Sequence, residues 1–569
     1  MVERGKCFRK IVALVVCASL LWGITPPQAK ADYEKKTIVT ENGARLVVMK
    51  ETYYNYSTNE TETVYCVIGI EEGREDVYIP EMVDGEYPIA EINLILDNDF
   101  KAQKGVKRLH LSKNIKDIHE DASDYHVYGE RLNIYYFLPN LSSITVDEAN
   151  PWFRAKDGKV YRKKDNALLA IAPAVSGKVV IEKDVPEIAV NATLWLRKVT
   201  AFSVEKGNIA YRSDKGVLYS KNRKHLIRYP IARKAKELKM PKGVTYIDEQ
   251  AFEDVEHLKK VTFSSTVREV GERAFASSSL ENVKFNKKLR KIGYTVFIGT
   301  SYKLKAFKLP SGLREAEISF FPNDKLVIPA RLGKVTIFHE EEASAEGYLG
   351  VNTLVIKNPA LDIRGMDWDM EKWHWFLYDK TVYAYKGSLP YKQIKECKKK
   401  YKLNVKLKVL KGKVYKTPKA TGEADTSWYS KEEKTFTISK PAQLAGMSLL
   451  SRKKYVDFRG QTIILKKNLD MKGYNNFYPI KNFEGTFDGN GKKIKNLKIY
   501  RLQEHVGLFG YVDYYGKVKN LTVQGEITGG SYTGGITGQA FYKNALENCS
   551  FKGKVFGYGY TGKLMGGYE

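Results

Sequence analysis

The sequence predicts a mainly β repeat protein: a stacked-repeat solenoid with a parallel sheet, followed by a partial right-handed β-helix. Three observations predict it. Apolar residues recur with a period of 22 to 24 between Val244 and Phe320. A second rhythm closes on Gly510, Gly538 and Gly566, each 28 residues after the last. The chain has 38 tyrosines and only 8 histidines, which suits a β-rich exterior better than an acid–base enzyme.

Residues 1–31 stand apart from the fold. Arg4, Lys6, Arg9 and Lys10 form a positive leader, Ile11 to Ile24 is an apolar run, and Ala29-Lys30-Ala31 has the small-x-small pattern of a cleavage site. This is the layout of a secretory signal peptide. The apolar run is short for a membrane span, which needs about 20 residues. Val16 before Cys17 stands where lipidation requires a small residue. The expectation is therefore a secreted or cell-surface protein, bacterial in character, with no membrane span in the mature chain.

The formal net charge is +28, and removing residues 1–31 takes away five Lys/Arg and one Glu, leaving +24. Two readings fit: a solvated lysine-rich surface, or electrostatic attachment to an anionic cell-wall polymer. Export and the lack of any nucleic-acid motif exclude nucleic acid as a partner. Cys66, Cys397 and Cys549 remain after the leader, too few and too far apart for a disulfide framework.

The first array is clearest over residues 244–320. Its units read Val244, Ile247, Phe252, Leu258, Val261, Phe263, then Val267, Val270, Phe275, Leu280, Val283, Phe285, then Leu289, Ile292, Phe297, Leu304, Phe307, Leu309. A fourth begins with Leu313, Ala316 and Phe320. Val261 and Phe263 alternate as a short strand, and Ile247 to Phe252 reads as a turn that tucks its aromatic under it. One unit cannot bury its apolar face alone, so units stack. The same register appears in Val106, Leu109, Leu111, Ile115 and Ile118, and further strands in Leu141, Ile144 and Val146 and in Leu196 and Val199. Asn150 to Tyr161 and Asn208 to Tyr219 read as inserted hairpins with Gly158 and Gly216 in their turns.

These residues resemble the BspA-type leucine-rich repeat of bacterial surface proteins. Ile247, Ala251, Phe252, Leu258 and Val261 fit its pattern. The resemblance covers roughly residues 70 to 410 and implies a leucine-rich-repeat solenoid over 32–410, with a lead-in over 32–100. It also implies attachment to host proteins, other bacteria or the extracellular matrix. Residues 322–380 keep strands (Leu326-Val327-Ile328, Val335-Thr336-Ile337, Leu354-Val355-Ile356) but lose the Ala-Phe signature. A terminal cap is expected over 381–410. It comprises a strand at Val382, Tyr383 and Tyr385, a helix capped by Ser388 with Tyr391, Ile394 and Cys397 on one face, and a strand at Val405, Leu407 and Val409. The helix lysines (Lys392, Lys395, Lys398, Lys399, Lys400) read as a solvated face.

Residues 411–433, with Pro418 and Gly422, read as a linker. Over 434–569, Ile494-Lys495-Asn496-Leu497 is echoed by Val518-Lys519-Asn520-Leu521 and Leu546-Glu547-Asn548-Cys549. Glycine motifs follow at Gly507–Gly510, Gly535–Gly538 and Lys563–Gly566. Glycine is expected at corners needing positive φ, and Asn496, Asn520 and Asn548 as a stacked ladder. The region resembles the GLUG-motif solenoids of bacterial surface proteins, as do Gln443-Leu444-Ala445-Gly446, Phe458 to Ile463 and Phe487-Asp488-Gly489-Asn490-Gly491. Lys563 departs from that pattern. With no polar cap, wall-sorting motif or membrane tail before Glu569, the expectation is a truncated member.

The sequence predicts no enzyme, no catalytic residue, no cofactor and no metal site. The His339-Glu340-Glu341-Glu342 run lacks a second histidine at zinc spacing, and His110 and His119 fall on strand or turn edges. Cys397, beside lysines, is expected to have a lowered pKa but lacks a histidine partner. Asp488-Gly489-Asn490-Gly491 reads as a turn rather than a calcium loop. The functional expectation is adhesion or binding of an unknown protein or polysaccharide through the parallel sheet. The alternatives are a carbohydrate-active β-helix, which a cluster of acids on one solenoid face would favour, and a structural spacer on the cell wall.

Overall fold

Short segments with apolar residues at alternate positions form strands, and glycine, asparagine or aspartate at positive φ turns the chain between them. The structure is a computed structural model. It describes residues 35–55, 60–94, 101–118, 134–300, 304, 308–318, 325–337, 351–365 and 377–568. The leader 1–31, His119, Phe307, Phe320 and His339 to Glu342 lie outside these residues. The described chain is a mainly β repeat protein. It divides into two compact units, residues 1–175 with 187–192, and residues 176–186 with 193–569.

In the first unit, Lys35–Val39, Arg45–Asn55 and Glu60–Glu72 form an antiparallel meander, joined in parallel by Tyr87–Ile92. None of these strands is expected from the repeat pattern. The expected strands follow: Asp76–Tyr78, Arg108–Leu111 and Ser143–Val146 pair in parallel, with Leu109 and Ile144 buried. The first hairpin pairs Phe153–Lys156 with Lys159–Arg162 around Asp157 and Gly158, both at positive φ. Its root is Asn150, fully buried. The Asn150 amide donates to the carbonyls of Ser112 (3.0 Å) and Ile115 (2.8 Å), and its Oδ1 accepts from the N–H groups of Trp152 and Phe153 (both 2.8 Å).

The second unit repeats that device. Asn208 donates to Glu182 and Val185 carbonyls and accepts from Ala210 and Tyr211 N–H groups. Its hairpin, Tyr211–Asp214 with Val217–Ser220, continues through His225–Arg228 into a parallel ladder. The ladder runs Tyr246–Ile247, Glu269–Val270, Lys291–Ile292, Glu315–Ile318 and Lys334–Ile337. The Ile247, Val270 and Ile292 segments are thus strands as well as turns. A second parallel sheet holds Glu237–Lys239, Lys260–Thr262 and Asn282–Lys284. Between the two lies an aromatic column: Tyr229, Phe252, Phe275 and Phe297 stack at centroid distances of 5.2, 4.7 and 5.6 Å. Lys325–Ile328, Thr353–Ile356, Thr381–Ala384 and Lys406–Val409 continue in parallel. The helix Leu389–Tyr401 starts at Ser388, whose side chain accepts from the Tyr391 N–H, and buries Ile394 and Cys397.

Residues 411–433 carry no strand or helix, yet Trp428 and Tyr429 pack on Phe436. A helix over Pro441–Lys453 follows, started by Gln443, whose Oε1 accepts from the N–H groups of Ser439 (2.8 Å) and Lys440 (3.1 Å). The remaining chain winds through three parallel sheets. One holds Thr435–Ile438, Thr462–Leu465, Thr486–Asp488, Lys517–Lys519 and Leu546–Glu547. The second holds Leu469–Asp470, Lys493–Tyr500, Thr522–Gly529 and Ser550–Gly557. The third holds Phe509–Val512, Thr537–Ala540 and Met565–Tyr568.

Two expectations change here. Gly510, Gly538 and Gly566 do not sit at positive φ; they lie within strands, where a Cβ on Gly538 would come 2.5 Å from the His505 backbone. They are small because adjacent backbones approach closely. The positive-φ corners of this region fall instead at Asn490, Asn496, Asn520 and Asn548 and at other glycines, among them Gly460, Gly473 and Gly491. The asparagine ladder also differs in membership. Asn548 donates to Asn520 (3.3 Å) and Asn520 to Asp488 (3.2 Å), whereas Asn496 donates to Asp470 (2.7 Å). Val518 stacks on Phe487, so the coil beneath Asn520 is Phe487-Asp488-Gly489 rather than Ile494 to Leu497.

The two arrays of the second unit touch directly. The Asn358 amide donates to the Tyr558 carbonyl (3.3 Å), the Tyr560 hydroxyl donates to Glu315, and Tyr415 packs edge-on to Tyr558. Gly333 makes the approach possible, since a Cβ there would lie 2.7 Å from Ser531 Oγ.

Candidate functional site

The parallel ladder presents one face outward, and its register places one residue of each unit in a row. That row reads His225, Tyr246, Glu269, Lys291, Glu315 and Lys334. Their sequence neighbours Ile247, Val270, Ile292, Ala316 and Val335 point into the core and are buried. Gly271 and Gly293 come next in the second and third units. A Cβ on Gly271 would stand 2.7 Å from the Glu249 N, and one on Gly293 3.0 Å from the Glu272 N. The missing side chains let the backbones of successive units pack closely at Glu249 and Glu272. The result is a cavity of about 300 Å³ whose lining includes five glutamates (249, 269, 272, 315 and 317) and the rings of Tyr246 and Tyr294.

The charges in it are unevenly matched. Lys291 and Lys334 both approach Glu315, at 3.6 and 3.4 Å. Burial works to raise the Glu315 pKa, but the Tyr560 hydroxyl and the two lysines hold it below the usual range. Glu317 differs. Its Oε1 is buried without a hydrogen-bond partner. Burial, then the Glu272 charge, pushes its pKa up to about 7, against the opposing pull of Lys334. Tyr246 is pushed up to about 12 by burial and by Glu249. The cavity is therefore a carboxylate-rich, tyrosine-walled recess, suited to a cationic or hydrogen-bond-donating group.

Glu317 gives a pH prediction. Its folded pKa is raised above the ordinary 4.5, so the folded state holds this proton better than the unfolded one. That stabilisation is complete below about pH 4.5 and lost as pH rises through about 7. Glu317→Gln should therefore raise Tm at pH 8, and the gain should vanish near pH 4 in a thermal series across that range.

Of the residues singled out in the sequence, His110 lies on the strand Arg108–Leu111, with Nδ1 2.6 Å from Thr145 Oγ1 and Nε2 3.2 Å from Asp76. Tyr78 stacks on its ring at 4.1 Å. Asp76 is shared with Arg108, and that hydrogen bond first, then His110, takes its pKa to about 2. Cys397 overturns the expectation of a lowered pKa: the thiol is buried, and burial pushes it up to about 11 despite Lys400. Asp488 accepts from the Asn490 N–H (2.8 Å), a turn contact. Sequence reasoning missed Glu51, Cys66 and Glu91, which share no local pattern, yet their ligand atoms lie within 4.8 Å of one another. Burial, then the charges of Glu51 and Glu91, raises the Cys66 pKa.

With the ladder and column in place, the comparison with known families is direct. Residues 232–339 match the BspA type leucine rich repeat region, in six copies. The match spans the cavity and the Phe252, Phe275 and Phe297 column. No curated protein matches the sequence. Among solved structures, similar ones include the pneumococcal vaccine antigen PcpA (16% identity, 67% of this chain and 99% of that one, TM-score 0.34). Two others are a leucine rich cell surface protein from Faecalibacterium prausnitzii (15%, 58% and 96%, 0.32) and a leucine-rich repeat protein from Eubacterium ventriosum (17%, 56% and 90%, 0.29).

Proposed function

We propose that this is a non-catalytic, secreted or cell-surface repeat protein that binds a protein ligand through the ladder face of its leucine rich repeat region. The cavity carries the reading: five carboxylates and two tyrosines converge there, and Glu317 keeps one oxygen buried without a partner. A lysine or arginine side chain of a partner supplies the missing donors and charge. In the same reading, residues 1–31 are the export signal, 32–410 the leucine-rich-repeat domain, and 434–569 a GLUG-type right-handed β-helix. Among the described residues no helix is long and apolar enough to cross a membrane.

The test is binding of the full chain to a panel of matrix proteins and to an anionic wall polymer, at low and high salt. Saturable binding to one protein, retained at high salt and weakened by Glu317→Lys, is expected. Binding to the polymer alone, abolished by salt and indifferent to Glu317→Lys, defeats the proposal and leaves a charge-retained surface protein.

A further inference from the structure

A second surface lies on the C-terminal coils. The turns that enter the first of the three C-terminal sheets fall on successive coils at residues 457–460, 483–485, 513–516 and 541–545. Backbone bonds hold them in sequence: the Glu484 N–H donates to the Asp457 carbonyl, Asp513 to Phe483, and Phe541 to Val512. Gly516 keeps the corner tight, since a Cβ there would stand 2.2 Å from the Phe483 carbonyl oxygen.

This geometry lines up carboxylates on three coils: Asp457, Glu484 and Asp513. Burial, then the charges of Asp457 and Asp513, raises the Glu484 pKa, which places the three within electrostatic reach of one another. Beside them the third and fourth turns carry exposed rings. Tyr514, Tyr515 and Tyr542 are 50%, 55% and 44% exposed. Tyr514 sits at the centre, with centroids 4.9 Å from Tyr515 and 5.2 Å from Tyr542. Arg459 lies over the Tyr515 ring at 4.1 Å and pairs with Glu484 at 3.8 Å. Large rings left in water on adjacent coils are unusual without a partner.

We propose that this corner binds an uncharged polysaccharide chain lying along the coil axis. The rings offer apolar faces to the carbon face of sugar rings, and the carboxylates accept from hydroxyls. A strip one turn wide and four coils long fits a linear polymer rather than a globular partner, which needs a broad patch of about 800 Å². The carboxylates repel a polyanion, in contrast to the +28 net charge of the chain as a whole.

The experiment titrates the full chain with cellohexaose and chitohexaose, with polygalacturonate as the anionic comparator. Saturable, salt-insensitive binding of one of the uncharged hexaoses is expected. Tyr514→Ala and Tyr542→Ala should each weaken it by about tenfold or more, the equivalent of ~1.4 kcal/mol. Tyr542→Phe should retain it, and Glu317→Gln should leave it unchanged. An unaltered Tm shows that the alanine variants remain folded. The proposal fails if neither hexaose binds, if only polygalacturonate binds and salt removes it, or if the tyrosine variants bind as well as the parent.

Discussion

Replacing Phe275 by alanine is expected to destabilise the first array by ~3–5 kcal/mol, the range for a large buried aromatic truncated in a close-packed core. Phe275 is fully buried. It stacks on Phe252 on one side (4.7 Å, 19°) and Phe297 on the other (5.6 Å, 10°), and touches Phe263 at 6.2 Å. Removing the ring breaks two stacking contacts and leaves a void that neighbouring units cannot fill, because their backbones are fixed by the ladders on both sides. In a stacked array each unit is stabilised by its neighbours, so the loss spreads to units that are not mutated. Hydrogen exchange of the full chain is the measurement. Protection should fall over residues 244–318 together and persist over 434–568. Tyr455→Ala, at a ring 82% exposed, should stay within ~0.5 kcal/mol of the parent. Equal losses at the two positions would refute the column as the element that holds the array.

The column's phenylalanines are readable from sequence because they recur at near-constant intervals, two of them behind an alanine, as in Ala251-Phe252 and Ala274-Phe275. Periodicity reports residues that do the same job in each unit. It does not report contacts made once. The Tyr560 hydroxyl reaching Glu315, and Asn358 reaching Tyr558, join positions some 200 or more residues apart and leave no local signal. The Glu317 carboxyl is similar: its raised pKa comes from burial and from Glu272 two units away in sequence, neither visible in a run of residues. The helix Pro441–Lys453 is not legible because the Gln443-Leu444-Ala445-Gly446 run matches a repeat motif and its cap is a glutamine side chain turned back on Ser439 and Lys440. The first-unit meander was missed because its strands are not repeats.

The coil register shows how a motif can mislead. Ile494-Lys495-Asn496-Leu497 and Val518-Lys519-Asn520-Leu521 look alike, but they occupy different sheets: Ile494 pairs with Val523, and Val518 with Phe487. What they share is the local demand of an asparagine corner at positive φ, φ 59° at Asn496 and 53° at Asn520. Similar letters therefore report similar turns, and stacking is decided by strand pairing.

Asn208→Ala is the second substitution with a large expected effect, a loss of at least ~3 kcal/mol. The side chain is fully buried and makes four hydrogen bonds, donating to the Glu182 and Val185 carbonyls (both 2.9 Å) and accepting from Ala210 (2.9 Å) and Tyr211 (2.7 Å). Alanine leaves all four backbone groups without this partner, and each buried orphan costs ~1–3 kcal/mol. Aspartate is the informative variant. It can still accept from Ala210 and Tyr211, but it turns a carboxylate oxygen towards two carbonyl oxygens that need donors. Asn208→Asp should therefore fail to rescue stability at pH 7 and recover in part at low pH, where the protonated acid donates once. Asn286 makes the matching bonds to Ser264 (2.7 Å) and Val267 (3.0 Å) but is only half-buried, so water replaces much of what its removal takes away. Urea unfolding should rank Asn208→Ala well above Asn286→Ala. If the two lose equally, burial is not what makes the asparagine at the root of each hairpin matter, and the hairpins are held by strand pairing alone.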